Sequence, residues 1–243
     1  MLVAASLNDV IVELAADFER AEDCQVFISA GASGALRKQI ELGAPCHVFV
    51  SADADQVDAL IAKSLCDRET RRIVAANQLV LVVRRELLSQ GPWPQSLRSS
   101  LIRRLAIADP GVAPAGRYAR AALAKEGAWA EMEGKLVISD DVRGAAMHVE
   151  TSAVDAAIIY FTDARRLKNA VAAHTFPPDS HGPIEYVAGI ISSTMSTSRP
   201  DTTTQAAARR FLNHVTSPQA AVILRKHGFT PPSGDHPAPS DSE

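Results

Sequence analysis

Four junctions in this chain put a hydroxyl or a run of small residues where an apolar stretch gives way to a helix-forming one. They are Ser6 in "AASLNDV", Ser33 in "GASGALRKQ", "PAG" at residues 114–116, and "DDVRG" at residues 140–144. Residues of these types could act as a nucleophile or could hold an anion. A nucleophile elbow needs G-x-S-x-G, which exposes the serine on a strained turn. The order here, Gly31-Ala32-Ser33-Gly34-Ala35, puts the second glycine one place early. The histidines scatter from His47 to His236 with no spacing that ties one to Ser33. P-loop, dinucleotide and HExxH patterns are also missing, so the chain reads as a binding protein rather than an enzyme. "DSHGP" at residues 179–183 reads as a turn rather than a metal site. Cys24, Cys46 and Cys66 lack metal-ligand spacing and read as small, partly buried apolar residues.

The elements that must position these junctions follow from apolar patterning. "LVAAS", "CQVFISA" and "HVFVSAD" each run into a helical pattern, and in the first of these Val10, Leu14 and Phe18 share a face. Strands alternating with helices imply βαβ units and parallel pairing. "QLVLVVRRE" adds a strand, and "LLSQGPWPQSLRSS" then reads as a connection between lobes. The pattern restarts with "RLAIADP", "KLVIS" and "AAIIY", interleaved with helices, the first of which has Pro114 in its first turn. "AVAAHTF" and "IEYVAGIIS" are two more strands, and two helices close the fold. The polar, proline-rich tail at 231–243 is expected to be disordered.

Composition narrows the function. At 243 residues and 47% hydrophobic, the chain can build one large domain or two lobes with separate cores. A net charge of -3 speaks against nucleic acid or a membrane surface as partner. No apolar run approaches the roughly 18 residues a membrane span needs. "MLVAASLNDV" has no basic start and no long apolar stretch, so no signal peptide is expected in it.

The anion reading gains from the number of junctions. Each helix start carries unpaired N–H groups and partial positive charge. In an open α/β sheet such starts lie beyond the carboxyl ends of the strands, where ligands bind. One serine at a helix start is usually only a cap, whereas four small-residue starts suggest a shared anion site. From the residues alone, Tyr160 is a core tyrosine at a strand end with its hydroxyl on backbone. Asp140 and Asp141 are expected to complement a helix dipole and face away from the cleft. Arg117 and Arg143 are expected at solvated surface positions.

Seven segments, "AASLNDV", "ASGALRKQIELGAP", "VFVSAD", "DPGVAPAGRYARAAL", "DDVRGAAMHVE", "IIYFTDA" and "FPPDSHGPIEYVA", together resemble the periplasmic molybdate-binding proteins of ABC transporters. The resemblance runs from about residue 2 to residue 230, in the family's order. It implies a two-lobed type II periplasmic-binding-protein fold of the α/β class, each lobe a mainly parallel sheet flanked by helices. Lobe 1 would be residues 1–82 and 187–230, and lobe 2 residues 83–186. It further implies a tetrahedral oxyanion held by the hydroxyls of Ser6, Ser33 and Tyr160 and the backbone N–H groups of Ala115 and Val142. The ligand would be molybdate or tungstate, with no cofactor, and the partner the membrane permease of a molybdate ABC transporter. A periplasmic location and a monomer are expected. Sulfate as ligand, or a cytoplasmic oxyanion-sensing domain of the same fold, are the alternatives. "GAPCHVFV" departs from the family in Cys46 and His47, and Ala157 replaces a common glycine; neither touches the five positions.

Overall fold

The computed structural model describes residues 1–98, 100–192 and 202–232. The chain forms β1 (Leu2–Ala4), α1 (Asn8–Ala21), β2 (Ser29–Gly31), α2 (Ser33–Glu41), β3 (Val48–Ser51), α3 (Ala54–Ala62) and β4 (Arg72–Asn77). It continues through β5 (Leu79–Arg84), β6 (Leu105–Ala108), α4 (Pro114–Lys125), α5 (Trp129–Met132), β7 (Leu136–Ser139), α6 (Val142–Glu150) and β8 (Ala156–Tyr160). Then come α7 (Phe161–Ala164), β9 (Ala170–Thr175), β10 (Ile184–Ile190), α8 (Thr202–Val215) and α9 (Pro218–Lys226).

Two five-stranded sheets result, ordered β2-β1-β3-β10-β4 and β7-β6-β8-β5-β9. Each holds a parallel triplet and is completed by antiparallel pairing, through β10 in the first sheet and β5 in the second. The two strands that cross between lobes supply this antiparallel part, so the sheets are mixed. The chain leaves the first sheet after Asn77, enters the second at Leu79, and returns at Ile184. The first crossing falls a few residues before the expected boundary at 82/83, because "LVLVV" pairs along its whole length with β8 and β9. That burial on both faces explains its unbroken apolar run.

Helices pack where their apolar stripes require. α1 buries Val10, Ile11, Leu14, Ala15 and Phe18, and the Phe18 ring meets Phe211 of α8 edge to face at 5.2 Å. Only Ser29–Gly31 of the expected strand "CQVFISA" pairs, since β2 is an edge strand and Phe27 before it is 75% exposed. The expected disordered tail lies, from residue 233 onward, outside the described residues. Among the described residues no helix is long and apolar enough to cross a membrane.

Candidate functional site

The five residues singled out above meet at one place. Ser6, Ser33, Ala115, Val142 and Tyr160 line a single cavity between the lobes, together with small residues that include Ala5, Gly31 and Ala32. About 20 Å³ is open there to the centre of a water molecule. By that measure there is room for at least one water-sized group.

Local structure sets what each group can offer. Ser6 does not cap a long helix; it sits in a short 3-10 turn, Ala5–Leu7, ahead of α1. Its Oγ lies 2.9 Å from the Tyr186 hydroxyl. Ser33 is the first residue of α2 rather than its cap, which is Ala32. Its Oγ accepts a hydrogen bond from Ala52 N at 3.0 Å, so its own proton remains to be donated. Ala115 stands second in α4 behind Pro114, and Val142 opens α6, so neither N–H has an intrahelical acceptor. The Asp141 side chain caps α6 by accepting from Arg143 N and Gly144 N, which leaves Val142 N out of that cap. Asp141 lines the cavity while its carboxylate is held in the α6 cap, and Asp140 is not among the lining residues.

Tyr160 departs most from the reading of residues alone. Its ring is 1% exposed, yet its hydroxyl has no hydrogen-bond partner among the described residues. Burial raises its pKa well above the ordinary phenol range, so it is a neutral O–H at any physiological pH. A buried polar group without a partner costs about 1–3 kcal/mol. A ligand oxygen in the cavity would remove that cost.

The lobes are closed on each other around this cavity. Gly34 N donates to Val112 O across the cleft at 2.9 Å, and a Cβ on Gly34 would sit 2.5 Å from that oxygen. Arg117 of α4 pairs with Asp53 and Asp55 at the start of α3, and Arg143 of α6 and Arg166 pair with Asp9 of α1. Both arginines expected to be solvated are thus interlobe ion pairs, because closure brings acidic helix starts of the other lobe against them. Arg143 also meets the buried Asp163, Nε to Oδ1 at 2.7 Å. Burial nevertheless raises the Asp163 carboxyl to about 7, with Arg143 opposing, and neither of its oxygens accepts a well-aligned hydrogen bond.

Sequence reasoning missed Asn77, Tyr186 and these ion pairs. A local signal existed only for Asp53, a cap-type residue just before α3 whose carboxylate accepts from Gln56 N. Among the described residues no group of three or more His, Cys, Asp or Glu could hold a metal ion.

Comparison with known proteins gives the arrangement relatives. Residues 1–230 match the family described as bacterial extracellular solute-binding proteins. The chain is 34% identical over 237 residues to the molybdate-binding protein ModA of Escherichia coli (strain K12), covering 95% of this chain and 88% of that protein. It is 32% identical over 237 residues to ModA of Haemophilus influenzae, covering 95% of this chain and 89% of that protein. Among solved structures, the Azotobacter vinelandii periplasmic molybdate-binding protein aligns with a TM-score of 0.82 at 24% identity, over 96% of this chain and 99% of that one.

Proposed function

We propose that this chain, which belongs to the family of bacterial extracellular solute-binding proteins, captures molybdate between its lobes and delivers it to the membrane permease of an ABC importer. Tungstate, of the same shape and charge, is a second ligand. The protein works outside the cytoplasmic membrane, as a monomer, without a cofactor. The observation that carries this reading is the Tyr160 hydroxyl, buried and without a partner among the described residues, on a residue that lines the same cavity as Ser6 and Ser33.

Recognition then rests on neutral donors. The hydroxyls of Ser6, Ser33 and Tyr160 and the N–H groups of Ala115 and Val142 each donate to an anion oxygen. A hydrogen bond to a charged group is worth about 1.5–3 kcal/mol, and a helix N-terminus adds about 0.3–1. Five such bonds can exceed the desolvation cost and still reach about -8 kcal/mol, micromolar affinity. A protonated oxyanion is disfavoured, because its own O–H meets donors where it needs an acceptor. The anion bridges the lobes, so it favours closure through contacts that the open form cannot make.

The test is calorimetric titration with molybdate, tungstate, sulfate and phosphate in parallel. Tight binding of the first two with much weaker or no binding of the others is expected. Sulfate binding as tightly as molybdate would overturn the ligand assignment, and no binding by any of the four would overturn the oxyanion reading.

A further inference from the structure

One contact of the candidate site reaches beyond the five ligand positions. Asn77 ends β4 at the crossing between lobes, and Tyr186 lies two residues along from its partner Ile184 on the adjacent β10. The Asn77 amide is oriented by its own surroundings: Oδ1 accepts from Gln78 N at 2.9 Å. Nδ2 is thereby turned to donate twice, to Thr162 Oγ1 at 2.9 Å in the other lobe and to the Tyr186 hydroxyl at 3.1 Å. Both amide hydrogens are then used.

The direction of the next bond follows by counting protons. Tyr186 is fully buried, and among the described residues its hydroxyl has two partners, Asn77 and Ser6. Since it accepts from Asn77, its single proton goes to Ser6 Oγ. Ser6 Oγ accepts that proton, and its own O–H is left for whatever occupies the cavity that Ser6 lines. Burial raises the Tyr186 pKa far above neutrality, so the phenol keeps the proton that the chain of bonds needs.

Building on the oxyanion reading, we propose that Asn77 and Tyr186 are specificity-determining positioning residues, a relay Asn77→Tyr186→Ser6 that locks Ser6 as a donor toward the ligand. Neither residue touches the ligand. Their contribution is polarity: with the relay intact, Ser6 is oriented to give a proton to a fully deprotonated oxyanion and has its accepting side occupied. Because the same amide also donates to Thr162, the lock is set at the crossing where the lobes meet.

The polarity makes a test that mere packing does not share. Asn77→Asp keeps the shape but replaces the donor with an acceptor. Tyr186 would then donate to the new carboxylate and accept from Ser6, so Ser6 would lose its free proton. Molybdate affinity is measured by calorimetry for wild type, Tyr186→Phe, Asn77→Asp and the double variant, with thermal melting as a check on folding. Each single variant is expected to bind about tenfold more weakly or worse. The double variant should bind about as Tyr186→Phe does, because without the phenol hydroxyl Asn77→Asp has nothing to invert.

Losses that simply multiply would overturn the relay, since a through-space charge effect of the new carboxylate survives removal of the hydroxyl. Monohydrogen phosphate supplies a second readout. Its affinity relative to molybdate should rise in Asn77→Asp, where Ser6 accepts, and an unchanged ratio would also overturn the relay. If Asn77→Asp fails to fold, Tyr186→Phe decides: wild-type molybdate affinity there refutes the proposal. Wild-type protein that binds no molybdate would instead refute the functional reading, so the two failures are distinct.

Discussion

Replacing Tyr160 by phenylalanine removes one buried oxygen that has no hydrogen-bond partner among the described residues, from a residue that lines the cavity. The ring's packing against Tyr118 and Tyr186, at 6.5 and 6.1 Å between centroids, is kept. Without ligand, Tyr160→Phe should therefore melt no lower than wild type and up to several degrees higher, because no protein hydrogen bond is lost and an unpartnered buried oxygen is removed. With molybdate the effect should be large. Loss of one hydrogen bond to a charged group is worth about 1.5–3 kcal/mol, a weakening of roughly 10- to 150-fold. At a ligand concentration about 1,000 times the wild-type dissociation constant, binding stabilises the folded state by about 4.1 kcal/mol. A variant weakened about 100-fold keeps about 1.4 kcal/mol of that under the same conditions. At about 2–4 °C per kcal/mol, the ligand-induced rise in Tm would drop from about 8–16 °C to about 3–6 °C. Differential scanning fluorimetry with and without molybdate reads this directly, and calorimetry gives the dissociation constant. Wild-type affinity in Tyr160→Phe would refute the reasoning. So would a large fall in the ligand-free Tm, since the hydroxyl would then be structural.

Two further perturbations act on closure and on charge. Gly34→Ala places a methyl group 2.5 Å from Val112 O and should hold the lobes apart, weakening molybdate binding about tenfold or more and costing about 1–3 kcal/mol of ligand-free stability; calorimetry that finds unchanged affinity would contradict the closed geometry. Burial raises the Asp163 carboxyl to about 7, above its unfolded value of about 3.9, so the native state retains that proton in a window from about pH 4 to pH 7. The Asp163 contribution to stability is thus present at low pH and is lost as pH rises through the window. Chemical denaturation at pH 5 and pH 7 should show wild type losing more stability than Asp163→Asn on going to the higher pH; equal changes in both proteins would show that Asp163 titrates normally.

Much of the architecture was legible in the residues because it is local. Strand and helix alternation, the Pro114 start of α4 and the apolar face of α1 follow from side-chain period and backbone preference over a few residues. The anion reading of the junctions was legible for a similar reason, since every helix start leaves N–H groups unpaired and small residues there let a ligand approach them. The particular ligand set came from segments that resemble a family, and Ala115 and Val142, which would act through backbone, carry no side-chain signal of their own.

What the tertiary structure alone decided is who meets whom. Ser6 and Tyr186 are 180 residues apart in the chain, and Asn77 and Thr162 are 85 apart, so no local pattern links them. Arg117 and Arg143 read as solvated because a cation in a first helical turn opposes the dipole, and only closure shows the carboxylates of Asp53 and Asp9 that hold them. The direction of each hydroxyl is likewise nonlocal. Ser33 is left with a proton to give because Ala52 N occupies its oxygen, and the Tyr160 hydroxyl has no hydrogen-bond partner among the described residues. Sequence period determines which faces are buried; the proton each buried group has free depends on partners that only the folded chain brings within hydrogen-bond reach.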